Sequence, residues 1–184
     1  MQGCSLRLWK GTLVVIIVRE GLFVTIGPPG AGKSTWAKNN LPPHCLRLER
    51  DRMRECLFGS RRTYHEHPFE RDVKSRVVTE TMMTAMREWP EYCWAVTDTA
   101  TRFDSVQPFI QAALCRQVPV TFVRFDRSDD YLWEINRTRP LTDRIPDEIL
   151  AEMIALYRAE DAWWREFKDP LLPLFQFMDG TTCS

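Results

Sequence analysis

Short apolar runs alternate along the chain with longer stretches in which apolar positions recur every three or four residues. The runs predict strands at Leu22–Ile26 and at residues 45–48, 92–97, 118–125 and 174–178. Near-continuous apolar strands separated by helices are what a parallel sheet covered on both faces requires, so the expected fold class is α/β. A long helix is predicted over residues 69–89, because Phe69, Val73 and Val77, then Val78, Met82 and Met86, recur at intervals of four. Another is predicted over residues 146–167. Pro146 suits a first helical turn there, and Ile149, Met153, Leu156 and Tyr157 form an apolar stripe. These stripes, with the neighbouring Trp163 and Trp164, read as core packing before they read as a base-stacking surface.

The same pattern yields one domain. The 184 residues contain no repeat, low-complexity segment or Gly/Ser linker, and this length suits a single core. Residues 1–20 are set apart as an N-terminal extension, in which the β-branched stretch from Thr12 to Val18 suggests an extra edge strand. Residues 21–184 form the expected domain. The longest apolar run, residues 13–18, is far shorter than the roughly 20 residues of a membrane span. It leads into Arg19 and Glu20 without a small-residue cleavage site, so a cytoplasmic chain is expected.

Composition narrows the partners. Apolar residues make up 44% and charged residues 27%, which excludes a disordered chain. Lys plus Arg equals Asp plus Glu at 25 each, so no global positive field attracts a polyanion and any such site must be local. The six cysteines lack the close spacing of zinc or dithiol sites and are expected mostly as buried thiols. Of the three histidines, His65 and His67 flank Glu66 in a segment read as a polar loop, and no metal centre is expected there.

Directly after the first strand of this domain stand Gly27, Pro28, Pro29, Gly30, Ala31, Gly32, Lys33 and Ser34, a complete G-x-x-x-x-G-K-[ST] pattern. Glycines allow backbone N–H groups to turn inward around phosphate oxygens, and the helix begun by Thr35, Trp36 and Ala37 adds its N-terminal dipole. The pattern assigns Lys33 to the β- and γ-phosphates of ATP and the Ser34 hydroxyl to Mg²⁺. A glycine turn without a ligand is the competing explanation, weakened by the strand before and the helix after.

Three further blocks bear on the acceptor. The second strand ends in Glu49, Arg50, Asp51, Arg52, Met53 and Arg54, which puts Asp51 at the carboxyl edge of the sheet, where open α/β folds bind ligands. Asp51 and Arg54 share a helical face at i, i+3 and so pair a proton acceptor with an anion-holding guanidinium. An N-cap aspartate beside solvated arginines has the same spacing. Six arginines and three acids lie between Arg47 and Arg62, which argues for an anionic acceptor. The third strand closes on Asp98, suited to hold Mg²⁺ through water, to orient the acceptor, or to cap the next helix. A helix over residues 129–139 carries Arg137 and Arg139 ahead of Pro140, the layout of a lid, although arginines on an exposed helix would look the same.

Taken together these blocks resemble the kinase domain of phage-type polynucleotide 5′-kinases over roughly residues 21–167. The resemblance rests on Gly27 to Trp36, on Arg50, Asp51 and Arg54, on Asp98 and Thr99, on Phe125 and Asp126 with the arginine lid, and on Ile145, Pro146, Ile149 and Leu150. It implies a P-loop kinase with ATP and Mg²⁺ as cofactors and a nucleic acid, DNA or RNA, as substrate, with no membrane partner. It also implies that Lys33 and Ser34 handle ATP and the metal, that Asp51 is the general base, and that Arg54 grips an acceptor phosphate. Asp98 would support the acceptor side and Arg139 the transferring group, with Arg137 as a rival nucleotide contact. Ala100 departs from the Asn often found there. Asp179, Gly180 and Thr181 lack the rest of a phosphatase domain, so 3′-phosphatase activity is not expected. Two alternatives stay open within phosphoryl transfer: kinases for hydroxymethyl-pyrimidine bases such as 5-hydroxymethyluracil in phage DNA, and small-metabolite or nucleoside kinases. A nucleotide-dependent switch protein is the alternative outside it.

Overall fold

In the computed structural model, which describes residues 5–9, 12–16, 21–59, 67–89, 93–98, 103–166 and 175–180, the chain opens with β1 (Ser5–Trp9) and β2 (Thr12–Ile16). Thr12–Ile16 is extended, as its β-branched content suggests. Its ladder partner, however, is β1 in a separate antiparallel two-stranded sheet, and it adds no edge to the main sheet. Only two residues separate β1 from β2, and so short a connection favours the local antiparallel partner.

The domain proper starts with β3 (Leu22–Ile26), α1 (Lys33–Asn40), β4 (Leu46–Leu48), α2 (Arg50–Phe58) and α3 (Pro68–Glu88). It continues through β5 (Trp94–Val96), a 3-10 turn (Phe103–Ser105), α4 (Gln107–Cys115), β6 (Val120–Arg124), α5 (Asp129–Thr138), α6 (Asp147–Glu166) and β7 (Phe175–Asp179). The five strands β4-β5-β3-β6-β7 are all parallel. Leu22 stands level with both Trp94 and Val120, so the strands run in step and their carboxyl ends form one edge.

Period-two alternation along β3 splits the core. Leu22, Val24 and Ile26 pack with Val78 and Met82 of α3 and Phe109 and Ile110 of α4, whereas Phe23 joins Trp36 of α1, Leu132 of α5 and Leu150 and Ile154 of α6. The expected α/β class is therefore met by a sheet between two helical layers.

Two expected stripes are narrower or rotated. On α3, Val78, Met82 and Met86 are buried, but Phe69 and Val77 are exposed, because only the C-terminal half of this 21-residue helix lies on the sheet. On α6 the buried line is Leu150, Ile154 and Tyr157, one position round the helix from Ile149 and Met153, which are half-buried. Trp163 and Trp164 lie outside the described side chains. His67 caps α3, its Nδ1 accepting the Phe69 N–H at 3.3 Å; His65 lies outside the described residues. Among the described cysteines, Cys45 and Cys93 are buried, but Cys56 is exposed on α2, which buries none of its residues, and Cys115 is exposed at the end of α4, which buries Phe109, Ile110 and Ala113 instead. No helix among the described residues is long and apolar enough to cross a membrane.

Candidate functional site

The loop from β3 to α1 bends through Gly27, Gly30 and Gly32, all at positive φ, with Gly32 as the left-handed N-cap of α1. This hands Lys33, the first residue of α1, to the loop interior. Its ammonium donates to the carbonyls of Gly27 (2.8 Å) and Pro28 (2.7 Å), leaving one of three N–H donors. Lys33 is only 6% exposed. Burial lowers its pKa from 10.5 to about 7, with Asp98 and Asp51 pulling it up and Arg139 pushing it down.

Lys33 belongs to a cleft of about 540 Å³ at the carboxyl edge of the sheet. Its walls bring together Pro29, Gly30, Gly32, Lys33, Ser34 and Thr35 from the loop and α1, Asp51 from α2, Asp98 beyond β5, and Arg139 beyond α5. Residues from four separate segments of the sequence thus meet in one place. Arg54 and Arg137 do not line this cleft, nor do Gly27, Pro28 and Ala31, which shape the loop from behind.

Two carboxylates sit differently there. Asp98 accepts the backbone N–H of Arg50 at 2.6 Å and pairs with its Nε at 3.3 Å, capping α2, a helix 48 residues earlier. Burial pushes the Asp98 carboxyl from 3.8 up to about 6, and Arg50 holds it back from rising further. Asp51 is by contrast 70% exposed and takes Arg54 Nη1 at 2.7 Å. The other arm of Arg54 donates to Ser75 Oγ on α3 at 3.2 Å, so this arginine braces Asp51 against α3 instead of facing the cleft.

The charge count around Arg47 to Arg62 overstates the local field. Arg50, Arg52 and Arg54 are each paired, with Asp98, Glu49 and Asp51 respectively, and Arg61 and Arg62 lie outside the described residues.

At the lid, Arg139 follows α5 in extended conformation and reaches the cleft, whereas Arg137 points off the exposed side of the helix. The clamp that fixes this segment was not singled out by the sequence. Asn136 is 2% exposed, and its side chain both donates to the Ile145 carbonyl (2.8 Å) and accepts the Ile145 N–H (3.0 Å). That closes the Pro140 to Ile145 turn over the loop. Its place four residues after Leu132, on the same line of the helix, gave a weak hint. Glu49, Arg52, Thr97 and Asp143 also line the cleft unpredicted. The buried Thr97 Oγ1 has no hydrogen-bond partner among the described residues, which suits a polar ligand. Thr99 and Ala100 lie outside the described residues.

The profile of the AAA domain family matches residues 22–159. No curated protein sequence matches the chain. Among solved structures, it is similar to a chain of the Pnkp1/Rnl/Hen1 RNA repair complex, with a TM-score of 0.63 and 19% identity over 79% of this chain and 46% of that one. It thus spans less than half the length of that chain. It is also similar to Chaetomium thermophilum Kti12 in complex with ADP-AlF3 (TM-score 0.55, 12% identity, 86% and 88% covered). A third match is shikimate kinase from Acinetobacter baumannii in complex with shikimate (TM-score 0.52, 15% identity, 86% and 82% covered). At these identities the likenesses establish the fold alone, an α/β P-loop fold.

Proposed function

Since the chain belongs to the AAA domain family and has an α/β P-loop fold, we propose that it transfers the γ-phosphate of ATP to a hydroxyl of a nucleic acid, in the first place a polynucleotide 5′-hydroxyl. The observation that supports this reading most is the meeting of Lys33, Asp51, Asp98 and Arg139 in one cleft. The Pnkp1 fold likeness and the motif order agree with it.

In this proposal the loop amides and the free N–H of Lys33 hold the β- and γ-phosphates. Asp51 accepts the proton of the acceptor hydroxyl as its oxygen bonds to the γ-phosphorus; the bond from that phosphorus to the bridging oxygen breaks, and ADP leaves with the electron pair. Arg139 meets charge on the transferring group. Positioning supplies most of the rate, with the base contributing less. The Ser34 hydroxyl and the Asp98 carboxylate are hard oxygen donors in the same cleft, of the kind Mg²⁺ takes, and Asp98 Oδ2, ion-paired with Arg50 Nε at 3.3 Å, accepts no hydrogen bond among the described residues. Those two residues would hold Mg²⁺, which would offset phosphate charge when bound.

The test is incubation with γ-labelled ATP and three acceptors: a 5′-hydroxyl oligonucleotide, a 5′-phosphorylated one carrying internal 5-hydroxymethyluracil, and a mixture of nucleosides and small polyols. Label on the first is expected. Label only on the second would assign base modification, label only on the third a small-molecule kinase, and free phosphate alone a switch protein; each of these overturns the proposal.

A further inference from the structure

The wall of the cleft formed by α2 has a second groove behind it. This groove, of about 570 Å³, runs between α3 and the start of α4, and Arg50, Arg76 and Arg87 line it with one acid, Glu80. Arg76, Glu80 and Arg87 recur at helical spacing on a single face of α3. The two arginines stand eleven positions apart, about 16 Å along the axis at 1.5 Å per residue.

The groove adjoins the cleft at two points. Arg50 lines the groove while its partner Asp98 lines the cleft. Ser75 of the groove accepts a hydrogen bond from Arg54, whose other partner, Asp51, lines the cleft. In register, Leu48 of β4 stands beside Val96 of β5, so Arg50 and Asp98, two residues on, leave the same edge of the sheet together.

Charge then separates the two surfaces. The described arginines nearest the proposed base are neutralised by Glu49, Asp51 and Asp98. Arg76 is exposed and makes no ion pair or hydrogen bond among the described residues. Arg87 is exposed and donates only within its own helix, to the Met83 carbonyl at 3.3 Å and to Thr84 Oγ1 at 3.4 Å, with no acid. Unpaired guanidinium groups spaced along an open groove suit a chain of phosphodiesters, which offers one negative charge per residue at regular intervals.

We propose that this groove is the track for the acceptor strand: the reacting nucleotide sits by Asp51, and the sugar-phosphate backbone beyond it runs along α3 with its phosphates on Arg76 and Arg87. The inference rests on the polynucleotide reading above and makes it more specific. It moves the source of any preference for long acceptors from the Arg47 to Arg62 stretch to α3.

Binding is read by fluorescence anisotropy with labelled ten-nucleotide 5′-hydroxyl DNA and RNA, without ATP, and phosphoryl transfer is read with the same strands and with a 3′-phosphorylated mononucleotide. The variants are Arg76→Ala/Arg87→Ala and Arg76→Lys/Arg87→Lys; both positions are exposed, and thermal melts check that the fold is kept. The alanine pair should weaken ten-nucleotide binding at least about tenfold. It should also flatten the slope of log affinity against log salt by about 1.4, two contacts at 0.7 each for single strands. It should leave the kcat/KM of the mononucleotide unchanged, and the lysine pair should keep most of the affinity. Equal affinity and salt slope in wild type and the alanine pair would overturn the track, as would no oligonucleotide binding by wild type. Wild-type binding through Arg76 and Arg87 without label transfer would instead retain the track and overturn the kinase reading.

Discussion

Asp98 and Arg50 leave the carboxyl ends of neighbouring parallel strands opposite one another, and the carboxylate of the first accepts the backbone N–H of the second at 2.6 Å and forms an ion pair with its Nε at 3.3 Å. Arg50 also donates to the Ser105 carbonyl and stacks over Phe109, 5.6 Å from its ring centroid. One arginine therefore ties together α2, the strand ends and the start of α4. Removing it leaves a buried carboxylate without its cation.

Arg50→Met is accordingly expected to destabilise the fold by about 3 kcal/mol at pH 7, the low end for breaking a buried pair. At pH 5 the deficit should shrink, because Asp98 titrates at about 6 even beside Arg50 and higher without it. Urea midpoints at the two pH values check this. An equal deficit at both would mean that lost packing on Phe109, not charge, sets the effect.

The two shifted groups should shape the stability of the nucleotide-free protein in opposite senses. Between pH 3.8 and about 6 the folded state holds the Asp98 proton while the unfolded chain releases it, so stability falls as pH rises. Between about 7 and 10.5 the unfolded chain holds the Lys33 proton and the folded state does not, so stability rises with pH. Lys33→Met should flatten the alkaline limb, Asp98→Asn the acid one, in a series of melts across pH. Phosphate charge favours the ammonium form, so ATP binding at pH 8 should take up protons, visible as a binding enthalpy that varies with the buffer. The lysine variant should lose that uptake and about 10²–10³ in turnover.

For the proposed base, Asp51→Asn keeps size and the Arg54 contact but not basicity. A kcat loss of about 10²-fold with little change in ATP affinity is expected. Arg54→Ala should lower kcat by less, since it leaves the carboxylate in place and removes only its brace to Ser75. Steady-state kinetics on both variants decide, and an Asp51→Asn enzyme near wild-type turnover would assign the base elsewhere.

On the lid, Arg139→Ala should reduce kcat by about 10²-fold or more, with Arg137→Ala within a few-fold of wild type, because only Arg139 reaches the cleft. Gly30 offers a separate probe. Its φ of +84° disfavours any side chain, and a Cβ there would lie 3.2 Å from Ile135 Cγ2 and 3.6 Å from Arg139 Nη2. Gly30→Ala should therefore cost about 1–2 kcal/mol of stability from the backbone alone, measured by thermal melts. It should also lower kcat by displacing the lid, whereas Gly32→Ala, with nothing within 4 Å of its Cβ, should show the backbone penalty without the lid effect.

What the residue order determined by itself were the features written locally in the chain. The phosphate loop is contiguous, its glycines set by backbone sterics and its lysine and serine fixed one after the other, so Gly27 to Ser34 could be read directly. Strands such as Leu22–Ile26 were legible because burial on both faces leaves no polar alternation to confuse. Only tertiary structure decided which face of each helix met the sheet. Val78, Met82 and Met86 bury while Phe69 and Val77 do not, since helical periodicity supplies an axis and packing chooses the rotation. Charge pairing was decided at the same level. A count of arginines cannot foresee that Asp98 neutralises Arg50 across 48 residues of chain, that Asn136 and Ile145 lock the lid so that Arg139 and not Arg137 enters the cleft, or that the unpaired guanidinium groups lie on α3. Coulomb energy falls with distance through space, not along the chain, and those distances exist only after the strands have aligned.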